Sequence, residues 1–262
     1  MLIFMSVVED VKGLYESFPY PAREVKTKEK LEGYVKWLLP ILNQKSTDFF
    51  LNKNVLELGC GTGELGNSLA LFGSKITGVD ISKTSLKKAK ELSERFDLTT
   101  NYLNQNLLKL DLNKEFDLVL ALGCLHHTSD AKKGFEIAVK HCKQNGLVVV
   151  GLYNKFGRIR LRLKNKIIDL FVGSDITKRI VFAKKYFANK RDQQKGDHWI
   201  ADKFAHPFET YHSIEEVRKW FKELNLKEIA SRPKIEKNSL ITQLKWFWNK
   251  QGAFFVITAK KC

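Results

Sequence analysis

From residue 54 onward, short apolar runs alternate with longer stretches whose apolar side chains recur every three or four positions. Val55-Leu56-Glu57-Leu58, residues 75–80, 116–121 and 146–152 have strand length, and Tyr102-Leu103 marks a weaker strand. Between them, 65–72, 82–96 and 131–142 carry helical spacing, with Ser82 placed as an N-cap. Strands alternating with helices at this spacing predict βαβ units and a mostly parallel α/β sheet. Right-handed crossovers then put helices on both faces, and ligands bind beyond the carboxyl ends of the strands.

The flanks differ. Residues 1–45 predict helices broken at Phe18-Pro19-Tyr20-Pro21, with a second helix from 28 that stops at Pro40. Regular alternation fails over 155–207, where 158–172 and 175–188 are amphipathic and 189–197 is polar. It resumes with a helix over 213–224, opened by Ser213-Ile214-Glu215-Glu216 as a capping box. Residues 226–231 and 253–259 predict two closing strands around an apolar, tryptophan-rich stretch at 240–248. The expected organisation is a helical lid over 1–45, a ligand-binding domain from 46–154 and 208–262, and a basic, mainly helical cap over 155–207.

Hydrophobic residues make up 44% of the 262, enough for a sizeable core. Lys and Arg total 45 against 29 acids, a formal charge of +16. That surplus favours an anionic partner, or is a solvated basic surface. Cys60, Cys124, Cys142 and Cys262 show no C-x-x-C spacing, so neither a metal site nor a disulfide framework is expected. No run reaches the roughly 18 apolar residues of a membrane span, and the N-terminus lacks the basic start of a signal peptide. A soluble, cytoplasmic protein, at most peripheral to a membrane, is expected.

The richest chemistry lies in Val55-Leu56-Glu57-Leu58-Gly59-Cys60-Gly61-Thr62-Gly63. Glycines after a strand allow a tight turn and let a ligand lie against bare main chain. The next helix offers unpaired N–H groups. Glu57 is poorly placed beside a pyrophosphate but suits a ligand bearing an ammonium group and a sulfonium charge. Asp80, ending the second strand, can accept both hydroxyls of a ribose.

VLELGCGTG, ITGVD, NQNLL, FDLVLALGCLHH and CKQNGLVVV together resemble the class I S-adenosylmethionine-dependent methyltransferases, over about residues 54–152. The resemblance implies a Rossmann-like sheet of seven strands, the last antiparallel, and S-adenosylmethionine as cofactor. It implies that Gly59, Cys60, Gly61 and Gly63 line the methionine part, supported by Glu57, with Gly123 nearby. It implies that Asp80 holds the ribose, Ile81 lies against adenine, and Asn106 and Leu107 meet the adenine edge. The family often has Asp where Asn106 stands; an amide oxygen can still accept from the adenine amino group.

The acceptor is less defined. His126 and His127 follow the fourth strand, beside the expected methyl position, and either suits a general base or a plain wall residue. Tyr15 and Tyr20 suit a lid over the ligands. In Asp202-Lys203-Phe204-Ala205-His206-Pro207-Phe208-Glu209-Thr210-Tyr211, His206, Glu209 and Tyr211 are expected near the acceptor. The favoured acceptor is a small molecule or lipid-like metabolite. RNA, or a cofactor-binding partner protein without catalysis, is the alternative. Residues 155–195 hold thirteen basic side chains and three acids. With apolar residues on one helical face, that stretch suits a cap over the site, an anionic membrane surface or an RNA backbone.

Overall fold

Strand β1 (Asn54–Leu58) is buried along almost its whole length and lies inside a seven-stranded sheet. The computed structural model describes residues 2–236, 238–249 and 251–262; Met1, the first residue of the expected lid, lies outside them. β1 pairs in parallel with β2 (Lys75–Asp80) and β4 (Phe116–Leu122). β3 (Thr100–Asn104) extends the sheet beyond β2, and β5 (Cys142–Tyr153) beyond β4. β7 (Phe254–Lys261) runs antiparallel between β5 and β6 (Leu226–Arg232), so the order is β3-β2-β1-β4-β5-β7-β6. This is the Rossmann-like sheet with an antiparallel last strand.

The near-continuous apolar strands follow from burial on both faces. On one face, Leu56, Leu58, Val119 and Val150 pack with Phe135 of α6 (Ala131–Lys140), Trp220 and Phe221 of α11 (Ile214–Glu223), and Trp246 of α12 (Ser239–Asn249). On the other, Val55, Leu118, Leu120 and Val149 pack with Val35 of α2 (Lys28–Lys36), Leu38 of α3 (Leu38–Ile41) and Leu69 of α4 (Glu64–Leu71). α5 (Lys83–Arg95) is capped by Ser82 as expected, its hydroxyl accepting the Ser85 N–H.

A third core lies outside the sheet. Leu14 of α1 (Leu2–Ser17) packs with Ile168 of α7 (Ile159–Val172), Ile180 and Ala183 of α8 (Ile176–Tyr186), and Ile200 and Phe204 of α10 (Asp197–Phe204). The polar 189–197 stretch is largely helical: α9 (Lys190–Gln194) starts with a capping box between Asn189 and Asp192. The helix expected to stop at Pro40 ends at Lys36 instead. Pro40 sits inside the four-residue α3, where a missing N–H leaves no intrahelical bond broken.

The crossover through α4 carries the chain from β1 towards β2, and that through α6 carries it from β4 towards β5. The strand order therefore switches sides between the parallel β1 and β4, which opens a crevice at their carboxyl ends.

Candidate active site

A cavity of about 570 Å³ occupies that crevice. Its floor is the ends of β1, β2 and β4; α1, the segment after it and α10 close over it. Of the sequence candidates, Glu57, Gly59, Cys60, Gly61, Asp80, Ile81, Asn106, Leu107, Gly123, His127, Tyr15 and Tyr20 line it.

At one end the glycine loop is tied to β2. The Gly59 and Cys60 N–H groups donate to the Val79 carbonyl at 2.8 and 3.1 Å. The Asp80 carboxylate accepts the Gly61 and Ser82 N–H groups, each at 2.9 Å. Gly61 has φ +52, and a Cβ there would stand 2.2 Å from the Tyr20 carbonyl oxygen. The chain after α1 lies on the loop at this point: Thr62 N–H donates to the Tyr20 carbonyl at 3.2 Å, Ala22 N–H to Thr62 Oγ1 at 2.9 Å, and Arg23 N–H to Glu64 Oε1 at 2.8 Å.

Glu57 is only 6% exposed, and its Oε2 has no hydrogen-bond partner. Burial, reinforced by the Glu64 and Asp80 carboxylates, pushes its pKa up to about 8. Burial also raises Asp80, against the backbone N–H bonds it accepts, those of Ser82 and Gly61 foremost. Glu57 lines the cavity, and a buried carboxylate there suits a cationic ligand group. Gly66 makes room for it, since a Cβ there would lie 2.7 Å from Glu57 Oε2. Beyond β2, Asn106 Oδ1 accepts the Leu108 N–H at 2.9 Å and caps a short 3-10 turn, so one of its lone pairs is already used.

At the other end, His127 Nδ1–H donates to the Phe208 carbonyl at 3.1 Å, which leaves Nε2 as the bare nitrogen. Nε2 has no hydrogen-bond partner and lies 4.0 Å from Asp202 Oδ1. The Tyr15 hydroxyl donates to the same Oδ1 at 3.0 Å. Burial depresses His127 to about 3 and lifts Asp202, helped by Glu209, to about 6. Two acceptor atoms thus lie 4.0 Å apart on residues that line the cavity. Arg158 is 8% exposed; it lies over the Tyr153 ring at 3.3 Å and donates to Glu209 Oε1 at 2.8 Å.

Five candidates are not in the wall. Gly63 caps α4 with φ +77, where a Cβ would collide with Ala89 and the Tyr102 hydroxyl, so its role is packing. His126 is fully buried with its ring 3.6 Å from that of Tyr153; burial keeps it neutral, and neither nitrogen has a partner. His206 stacks on His127 at 3.6 Å and accepts the Phe208 N–H through Nδ1. It buttresses the ring that lines the cavity. Glu209 holds Arg158, and the Tyr211 hydroxyl donates to Glu209 at 2.6 Å, so both reach the cavity only through Arg158.

Sequence patterns did not single out Asp202, Arg158, Tyr153, Trp199 or Glu64, which line the cavity. Asp202 opens the polar segment noted above, and its place on α10 one turn after Trp199 was the available signal. Trp199 stacks on Tyr20 at 6.0 Å. Among the described residues, no group of three or more His, Cys, Asp or Glu is arranged to hold a metal ion, and the four cysteines are free. No helix there is long and apolar enough to cross a membrane.

Residues 56–148 match the family model described as a methyltransferase domain. An uncharacterized protein of Synechococcus sp. is 25% identical over 240 residues, 82% of this chain and 58% of that protein. The ubiquinone biosynthesis O-methyltransferase of Rickettsia typhi is 29% identical over 101 residues, 38% of this chain and 41% of that one. The matches thus span less than two thirds of these relatives' lengths. Magnesium protoporphyrin IX methyltransferase from Synechocystis PCC 6803, crystallised with S-adenosylhomocysteine, superposes with a TM-score of 0.57 at 15% identity, covering 99% of this chain and 96% of that one.

Proposed function

We propose that this chain, whose residues 56–148 match a methyltransferase-domain model, transfers a methyl group from S-adenosylmethionine to a small, largely apolar acceptor through a hydroxyl or amine. One observation carries this proposal. A single cavity is lined both by the buried Glu57 carboxylate with the glycine loop and Asp80, and by His127 and Asp202, whose Nε2 and Oδ1 lie 4.0 Å apart.

The residues present fit the cofactor. Glu57 would hold its ammonium group, losing a proton as it does so. Each Asp80 oxygen accepts one backbone N–H and keeps a lone pair for a ribose hydroxyl. Gly59, Cys60 and Gly61 offer bare main chain to the methionine part, with Gly123 across the cavity. Ile81 and Leu107 would lie against adenine, and Asn106 would use the lone pair that Leu108 leaves. Once bound, the cofactor supplies a methyl group activated by the sulfonium charge.

At the acceptor end, Asp202 or His127 Nε2 takes the proton as the acceptor oxygen or nitrogen becomes nucleophilic. Tyr15 orients Asp202, and Arg158, held by Glu209, keeps the Tyr153 ring in place. The segment over 1–45 serves as a lid and 155–207 as a cap, since Val11, Tyr15, Tyr20, Trp199 and Lys203 all line the cavity. Positioning of acceptor and methyl group supplies much of the acceleration. A ubiquinone biosynthesis O-methyltransferase and a magnesium protoporphyrin IX methyltransferase among the relatives agree with a small-molecule acceptor.

The test is incubation with methyl-labelled S-adenosylmethionine and fractionated cell extract. Label is expected in the small-molecule or lipid fraction. Label in RNA would replace the acceptor class, and tight cofactor binding with no transfer to any fraction would reduce the protein to a binding partner.

A further inference from the structure

α7 is apolar on two faces. Leu161, Ile168 and Val172 turn towards the third core, with Ile168 fully buried. Leu163, Ile167, Leu170 and Phe171, spaced i, i+4, i+7 and i+8, form a second stripe on another side of the helix. All four are exposed, Leu170 by 81% and Phe171 by 68%.

The stripe continues onto α8. Phe171 stacks on Phe182 at 5.7 Å, and Phe182 meets Tyr186 at 4.6 Å. Val181 and Tyr186 are themselves exposed. A contiguous apolar strip of this kind on two packed helices marks an interaction surface rather than scattered surface residues.

Its rim is basic. On α7, Lys166 and Lys164 flank the stripe on either side; on α8, Lys178 and Lys185 share the face of Val181. Some of the region's basic residues face inward: Arg158 pairs with Glu209, and Arg179 donates to the Phe204 carbonyl and pairs with Asp169. The rim lysines are outside that inner set.

We infer that the α7–α8 face docks on an anionic phospholipid bilayer, with Leu163, Ile167, Leu170 and Phe171 entering the headgroup boundary and the lysines meeting lipid phosphates. Charge complementarity selects this occupant. A second copy would set one lysine rim against another. An RNA strand would be matched by the lysines, but three of the four residues of the α7 stripe, Leu163, Ile167 and Leu170, are aliphatic and offer bases nothing to stack on, and Phe171 is stacked on Phe182. Aliphatic and aromatic side chains framed by lysines are what an interfacial helix needs. The same helical layer covers the cavity through Arg158, Trp199 and Lys203, so docking would hold the site at the surface where apolar acceptors concentrate.

The test is co-sedimentation of the full chain with vesicles of phosphatidylcholine, alone or mixed with phosphatidylglycerol, without cofactor or acceptor. It is therefore independent of methyl transfer. Binding is expected to the anionic vesicles and to weaken with salt. The double variant Leu170→Glu/Phe171→Glu should lose at least tenfold of it, and Lys166→Gln about fivefold. Both variants should bind S-adenosylhomocysteine as the parent chain does, which shows that they fold. Absence of binding to anionic vesicles, or undiminished binding by the double variant, would overturn the inference. So would a stable dimer, or an RNA complex, that the double variant abolishes while vesicle binding persists.

Discussion

His127 Nε2 and Asp202 Oδ1 face each other across 4.0 Å in the cavity wall, and the imidazole nitrogen has no hydrogen-bond partner. Burial disfavours charge on both, pushing His127 to about 3 and Asp202 to about 6. A proton-donating acceptor in the cavity would meet the Asp202 carboxylate beside that imidazole.

Asp202→Asn should therefore lower kcat about 10²–10⁴-fold, the usual contribution of a positioned base. The affinity for S-adenosylhomocysteine should stay within twofold or so, since Asp202 lies at the acceptor end. The acidic limb of the pH–rate profile, expected near the Asp202 value of about 6, should disappear. An unchanged limb in the variant would assign the base elsewhere.

Glu57 makes cofactor binding proton-linked. Its pKa of about 8 leaves it mostly protonated near pH 7, and an ammonium group favours the ionised form. Binding should release a fraction of a proton, so affinity rises as pH climbs towards 8. The calorimetric enthalpy should vary with the ionisation enthalpy of the buffer, and Glu57→Gln should remove that dependence. The unliganded protein shows the matching sign in stability. Its Glu57 binds a proton that the unfolded chain has lost above about 4.5, so this contribution is present below 4.5 and fades as pH rises to 8. Glu57→Gln should therefore gain most over the parent at pH 8 in urea melts.

Asp80→Ala should weaken S-adenosylmethionine binding roughly ten- to a hundredfold, about the worth of hydrogen bonds to a charged group. It also strips the Gly61 and Ser82 N–H groups of their acceptor. A drop in stability of about 1–3 kcal/mol for each group left buried without a partner should accompany the loss. Calorimetry and denaturant unfolding on one preparation separate the two effects.

Gly61→Ala puts a Cβ at 2.2 Å from the Tyr20 carbonyl, on a backbone with φ +52. The loop cannot yield while Asp80 holds it, so the segment after α1 must lift. Faster proteolysis near residues 18–23 is expected, together with weaker cofactor binding. Equal proteolysis rates in parent and variant would mean that the lid is not pinned at this point.

Arg158→Met leaves Glu209 buried beside Tyr211 without its cation. Loss of one partner of a buried pair costs about 3–5 kcal/mol. Urea unfolding should show that drop, and Arg158→Met/Glu209→Gln should recover a large part of it.

The sheet and the residues proposed for the cofactor end were legible because their signals are short-ranged. Val55, Leu56 and Leu58 are apolar because a central parallel strand has no wet face, and the glycines follow because the chain must turn tightly within a few residues. Asp80 could be placed because it ends the neighbouring strand, one βαβ unit away. His126 and His127 are adjacent in sequence and indistinguishable by pattern. Only packing turns one behind Tyr153 and the other into the cavity. His206, Glu209 and Tyr211 were similarly expected at the wall, yet they support His127 and Arg158 from behind.

The amino-acid sequence by itself determined the βαβ frame, the turn after β1, and the places of the two acids, Glu57 and Asp80, that the proposed function assigns to the cofactor. Each depends on hydrogen bonds and burial within one local unit. The tertiary structure alone decided the acceptor wall, which draws Tyr15 from α1, His127 from the end of β4, Arg158 from the chain just before α7 and Asp202 from α10. Those elements meet because α1 and three later helices share a hydrophobic core of their own, and no local periodicity encodes which helices that core will join.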